Sequence, residues 1–214
     1  MTLAVGLFAL AGLAWGVLAD RIAARWPAHE DGSIRGLDWR TVIVPLIGAA
    51  AMADLGQRFP DAGSTLIYGA VFLALILLLA TDLDQRLLPD EITLPFAGLA
   101  AIYGLTGLNP LIGHGVPEAM LPALIGAVVI PTVFFVLSIP FGPGALGLGD
   151  VKLLFGVGLL AGLERTAFGV IVGVLISGFV IVALLVTRRI GLKSFIPYGP
   201  FLIVGAFWAV LLQS

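Results

Sequence analysis

Cysteine is absent from this 214-residue chain, which removes disulfides, thiolate metal sites and cysteine nucleophiles at once. Charge is scarce as well: Asp, Glu, Lys and Arg make up 11% of the residues, where soluble domains carry about 25%. Hydrophobic residues reach 60% and the mean hydropathy is +1.13, so the chain is a polytopic membrane protein and not a soluble domain. A net charge of -2, with 11 basic residues dispersed among loops, excludes a nucleic-acid partner. Histidine occurs only at His29 and His114. Neither has ligand-like spacing, so both are expected on solvated loops and no metal site is expected.

What the chain does have is long apolar runs, at about residues 2–19, 41–53, 64–81, 92–108, 119–139, 150–163, 166–187 and 196–212. The expected fold is all-α: one integral-membrane domain over residues 1–214, a bundle of about eight transmembrane helices. The second and sixth runs are shorter than the ~20 residues a bilayer core requires. They either extend into their flanks or do not cross fully, and six or seven crossings are the alternatives. The first run has no basic segment before it and is followed by Arg21 and Arg25, so it reads as a retained span and not as a cleaved signal. Gly12 and Gly16, Gly158 and Gly162, and Gly169 and Gly173 form small-xxx-small pairs suited to close helix packing.

Cytoplasmic loops carry the excess of positive charge. With eight spans and the N-terminus outside, Arg21, Arg25, Arg35, Arg40, Arg86, Lys152, Arg188, Arg189 and Lys193 lie inside, and only Arg58 and Arg165 lie outside. The first inner loop, residues 26–40, is short and has no apolar core of its own. This topology brings two acids to one membrane face. Asp82 ends the uncharged run 64–81 and Asp150 ends the uncharged run 119–149. An ionisable group in such a segment costs roughly 2.5–3.5 kcal/mol on insertion scales, which makes it a functional suspect.

Around the first acid the chain reads Thr81-Asp82-Leu83-Asp84-Gln85-Arg86-Leu87-Leu88-Pro89-Asp90-Glu91. Pro89-Asp90 looks like a helix start, where Asp90 and Glu91 complement the dipole. Asp82 and Asp84 are two positions apart and cannot share a helix face; if one is functional, the other is expected in solvent. Gly142, Gly144 and Gly147 match the spacing of a dinucleotide-binding loop, but no strand precedes them. Glycines beside Asp150 are better explained as room for an extended peptide or a partner helix. Two nearby carboxylates share a proton, so that one acts as base toward water while the other acts as acid. That is aspartic-protease chemistry, and it needs no metal or cofactor. The competing reading is a proton-coupled transporter using intramembrane carboxylates; both acids lie near one face and not at the midplane, and no repeat is evident. An inactive scaffold is a third reading, which the presence of both aspartates disfavours.

Four segments, in order, resemble the bacterial prepilin peptidases (type IV leader peptidases), membrane aspartyl proteases with a G-x-G-D element. Gly16-Val17-Leu18-Ala19-Asp20 followed by Arg25-Trp26-Pro27 is similar to the family's G-S-F-L-N and R-L-P. Residues 82–90 fit D-x6-P-[DN], residues 147–152 fit G-x-G-D-x-K, and Ile196-Pro197-Tyr198-Gly199-Pro200-Phe201 resembles I-P-F-G-P-F. The resemblance implies that Asp82 and Asp150 are the catalytic pair, with Gly147, Gly149 and Lys152 in substrate-binding or supporting roles. It implies cleavage of prepilins or pseudopilins, with a basic leader and an apolar helix, after a glycine at the cytoplasmic face of the bacterial inner membrane. Many members carry two C-x-x-C pairs in the first inner loop and also methylate the new N-terminus with S-adenosylmethionine. Here that loop is cysteine-free, and Asp20 replaces the family asparagine. Proteolysis is expected to need no cofactor, and S-adenosylmethionine enters only if methylation is retained.

Overall fold

The computed structural model describes residues 3–59, 61–113, 115–141, 146–189, 191 and 198–211. Among the described residues seven α-helices follow one another: α1 (Leu3–Ala23), α2 (Arg40–Arg58), α3 (Ala62–Gln85), α4 (Asp90–Leu105), α5 (Val116–Ser138), α6 (Leu148–Val186) and α7 (Gly199–Leu211). A short 3-10 turn, Ile139–Phe141, follows α5. Among the described residues there is no strand, and the protein is an all-α membrane protein. Among the described residues, four helices are long and apolar enough to cross a bilayer, and α3 is the most buried of them.

The count is seven where about eight were expected, and the difference lies in α6. Its 39 residues would extend about 58 Å if straight, roughly twice the hydrocarbon thickness. It is not straight: Gly162 has φ 75 and ψ -179, a conformation open to glycine because it has no Cβ. The Thr166 hydroxyl donates to the Val157 carbonyl at 3.3 Å, whereas residues nine apart in a straight helix are separated by ~13.5 Å. The sixth and seventh runs are therefore two helical segments joined directly at Gly162, with no loop between them. The short second run gains its length at both ends, as α2 starts at Arg40 and runs through the Asp54–Arg58 ion pair (2.8 Å).

α3 sits at the centre, packed by α1, α2, α4 and α7, while α6 packs on α4, α5 and α7. α3 and α6 thus meet through shared neighbours. Small residues allow close contact: Gly12 faces Gly48, Gly16 faces Pro45, Gly158 faces Ala127 and Gly169 faces Gly205. In lipid, where apolar burial drives helices together little, such contacts supply the packing. Large apolar side chains on α1, α5 and the second half of α6 point outward, among them Leu7, Leu10, Val128, Leu175 and Phe179. α3 is fixed at its start by Asp61, whose carboxylate accepts the Ser64 N–H at 2.7 Å. It stops at Arg86, in the left-handed conformation at φ 56. Asp82 consequently lies in the last turn of α3, and α4 starts anew at Asp90 behind Pro89.

Candidate active site

The end of the bundle where α3 finishes and α4, α6 and α7 begin gathers the polar residues. Asp82 is 4% exposed, and its Oδ2 is buried without a hydrogen-bond partner. Leaving a buried polar atom unpaired costs about 1–3 kcal/mol, so it is kept where something other than stability requires it. Asp150 and Arg86 are close enough to act electrostatically on Asp82. The backbone of Gly199, at the start of α7, presses on the Asp82 carboxylate so closely that a methyl group there would collide with it.

Asp150 is the third residue of α6, and its Oδ2 accepts the N–H of Gly147 at 3.0 Å. This is one half of a capping box: the side chain reaches back to the N–H that precedes the helix. The hydrogen bond explains why the acid directly follows the glycines, since it fixes Asp150 at the helix entrance. Leu88 locks the same place, because a Cβ on Gly149 would lie 2.8 Å from Leu88 Cβ. Lys152 Nζ holds both Asp90 oxygens, at 2.6 and 2.7 Å. The segments 82–90 and 147–152 therefore grip one another at two points, and Asp82 and Asp150 are set between those points and α7.

Each sequence expectation can be placed in this geometry. Asp82 and Asp150 come to one end of the bundle, as the topology required. Gly147 is exposed and serves Asp150 with its N–H. The room expected beside Gly149 is filled by Leu88, and Lys152 is turned to Asp90. Asp84, expected in solvent, is instead buried: its Oδ1 pairs with Arg35 Nε at 2.6 Å and Arg40 Nη1 at 2.5 Å, and its Oδ2 meets His29 Nε2 at 3.1 Å. His29 is correspondingly half-buried and not a freely solvated loop residue. Gly142, Gly144, His114, Lys193, Ile196 and Pro197 lie outside the described residues.

Sequence reasoning missed the network that Asp84 belongs to. Asp20 is fully buried at the end of α1 and is paired with Arg21 and Arg35. Arg35 also pairs with Asp38 at 2.7 Å. Burial opposes the Arg35 charge, but its hydrogen bond to Asp20 and the attraction of Asp20, Asp84 and Asp38 outweigh that and hold its pKa above the ordinary value. Gln85 Nε2 donates to the Pro27 carbonyl at 2.6 Å, closing the loop 26–40 over the end of α3. The available signal was Asp20 itself, an acid at a position where the resemblance has a neutral residue, with Arg35 in the following loop. At the opposite end, Tyr68 donates to Asn109 Oδ1 at 2.5 Å and Asn109 donates to the Leu160 carbonyl at 2.8 Å. Among the described residues no three His, Asp or Glu side chains are grouped as metal ligands.

Comparison with known proteins bears on the same stretch. The family model described as the type IV leader peptidase family matches residues 69–186, more than half of the chain, including Asp82 and Asp150. A prepilin leader peptidase/N-methyltransferase of Aeromonas hydrophila is 27% identical over 172 residues, covering 80% of this chain and 58% of that protein. One of Pseudomonas putida is 32% identical over 154 residues, covering 67% and 52%. One of Klebsiella pneumoniae is 34% identical over 118 residues, covering 54% and 50%. The chain thus spans a little over half the length of the curated relatives it matches. No solved structure matches it.

Proposed function

Because the chain belongs to the type IV leader peptidase family, we propose that it is a membrane aspartyl endopeptidase that removes the leader from prepilins or pseudopilins. Cleavage falls after a leader-terminal glycine, at the cytoplasmic face of the inner membrane. The observation that carries this reading is the buried Asp82 carboxylate, with its Oδ2 unpartnered and Asp150 as its acidic neighbour.

Asp82 and Asp150 share one proton. The ionised member takes a proton from a water, whose oxygen attacks the scissile carbonyl carbon. The other member gives its proton to the carbonyl oxygen, forming a tetrahedral gem-diol. On collapse the C–N bond breaks, the leaving amine takes the proton from the acid that received it from water, and one gem-diol hydroxyl returns its proton to the other carboxylate as the carboxyl C=O forms. The products are a carboxyl group on the leader glycine and a free amine on the mature pilin, and the pair regains its single proton. The substrate must be extended at the cut, since helical carbonyls are tied up in hydrogen bonds, and a glycine there weakens the helix. The excess of arginine and lysine at this end of the bundle supports its assignment to the cytoplasm.

The relatives' name includes N-methyltransferase. Among the described residues, the buried acids that face the first inner loop, Asp20 at the end of α1 and Asp84 at the end of α3, are already engaged by Arg21, Arg35, Arg40 and His29. These residues do not fit the cofactor, and no step is routed through it.

The test is cleavage of a prepilin by purified enzyme in liposomes, read as a mobility shift. Asp82→Asn and Asp150→Asn are each expected to abolish it while membrane insertion and melting are preserved, because residues acting as a unit lose nearly all activity singly. Near-normal cleavage by either variant overturns the two-aspartate mechanism.

A further inference from the structure

The loop between α1 and α2 is inside out by the standard of a loop in water. Arg35, 12% exposed, and Arg40 at the start of α2 turn inward to reach Asp84, and Arg35 also reaches Asp20. The loop's large apolar side chains turn outward, with Ile34 67%, Leu37 78% and Trp39 57% exposed. Polar groups face outward at the tip, Glu30, Asp31 and Ser33, and at Arg25 just after α1. In water this arrangement would expose apolar surface and use the charges internally. At the edge of a bilayer it is the stable one.

The occupant of that apolar surface follows from what lies on either side of the loop. α1 ends at Ala23 and α2 begins at Arg40, so no residue between them is far from a helix that crosses or enters the bilayer. Val17 and Leu18 on α1, and Val42, Ile43 and Leu46 on α2, are exposed apolar side chains just before and just after it. Trp39 sits at the start of α2, its ring 5.6 Å from the Arg40 guanidinium carbon. Tryptophan with an adjacent cation is the side-chain chemistry that membrane interfaces favour.

We propose that Ile34, Leu37 and Trp39 are seated in the interfacial layer of a phospholipid bilayer, among headgroups and upper acyl carbons, with the tip Glu30 to Ser33 in water. The loop is then held from two sides, by lipid outside and by Asp20 and Asp84 inside. It fixes the depth at which the end of α3, and Asp82 with it, meets the membrane surface. This surface goes beyond the peptidase reading and does not rest on it.

The natural absence of cysteine allows one spin label per molecule without further changes. Ile34→Cys, Leu37→Cys and Trp39→Cys are labelled with a nitroxide, alongside Ser33→Cys in the tip and Leu175→Cys on the outward face of α6. Each full-length protein is placed in vesicles of phosphatidylethanolamine and phosphatidylglycerol. Collision rates are measured with oxygen, which partitions into lipid, and with a nickel chelate, which stays in water. All five positions are exposed, so the substitutions leave the core untouched, and the Leu175 label verifies insertion in each preparation series. At positions 34, 37 and 39 the ratio of oxygen to nickel accessibility is expected to be at least threefold that at position 33 and below that at position 175. A ratio equal to that at position 33 places the loop in water and overturns the proposal. Exclusion of both reagents at 34, 37 and 39 means that protein, a second copy of this chain in such vesicles, covers the surface, and also overturns it. Neither readout involves cleavage, so the outcome is separate from that of the aspartate variants.

Discussion

Gly199→Ala adds a single methyl group, and the structure puts that methyl inside the contact distance of the Asp82 carboxylate. Either α7 retreats or the carboxylate turns. α7 is held by the backbone approaches of Gly169 to Gly205 and of Gly173 to Phe201, and by Phe72 against Phe207 at 5.0 Å between ring centroids, so the carboxylate is the part that yields. Turning it away from its preferred rotamer costs about 0.5–1.5 kcal/mol. The total overpacking penalty falls in the usual range of about 1–3 kcal/mol, which lowers the melting temperature without unfolding the protein. Activity suffers more, because a misplacement of about 1 Å at a reacting group costs on the order of 100-fold. The expected result is a ten- to hundredfold fall in the rate of prepilin cleavage in liposomes, with KM little changed. Gly156→Ala is the control: its methyl meets the Phe96 ring, with Cε1 at 2.6 Å, away from both acids, so it should lower stability and spare turnover. If Gly199→Ala cleaves at the wild-type rate while Gly156→Ala is destabilised as expected, Gly199 does not set the Asp82 carboxylate and the reasoning fails.

Asp84→Asn leaves Arg35 and Arg40 facing an uncharged amide in a buried place. A loss of about 3–5 kcal/mol is expected, as for breaking a buried ion pair, seen as a lower melting temperature in detergent; unchanged melting would refute the burial argument. Gly149→Val drives a branched side chain into Leu88, and cleavage should fall at least tenfold together with stability, so a variant that keeps its melting temperature but loses cleavage would point to substrate contact instead. Lys152→Ala removes an ion pair whose Asp90 partner is about half exposed; such pairs are worth about 0–1 kcal/mol, and cleavage should change less than threefold in the same assay.

The membrane class, the all-α fold and the meeting of the two acids were legible because each depends on a pattern carried by the chain alone. Scarce charge marks the spans, and the side on which arginine and lysine accumulate orders them. The break between the sixth and seventh runs was legible, but its form at Gly162 was not. Glu164-Arg165 reads as a loop between two runs, yet these residues continue helically from a single glycine turned to positive φ. The role of Gly199 was hidden for a related reason: a glycine is chosen there by the closeness of a side chain from another helix, and no local pattern reports that distance.

Asp82 and Asp84 show where spacing stops being informative and pairing takes over. Both are aspartates in the last turn of α3, two residues apart, and both are nearly shut off from solvent. Asp84 has each oxygen bound to a cationic or titratable group, Asp20 is held by two guanidiniums, and Asp90 has both oxygens on Lys152. A carboxylate held in this way has its oxygens already taken as acceptors. Asp82 keeps an oxygen with no hydrogen-bond partner, and Asp150 gives one of its oxygens to a neutral backbone N–H. Of these five aspartates, Asp82 and Asp150 are the two whose oxygens are not committed to a cation by hydrogen bond or ion pair among the described contacts. The proposed dyad chemistry needs carboxylate oxygens free to meet a water, and the ion pairs around Asp20, Asp84 and Asp90 hold the helices that carry Asp82 and Asp150.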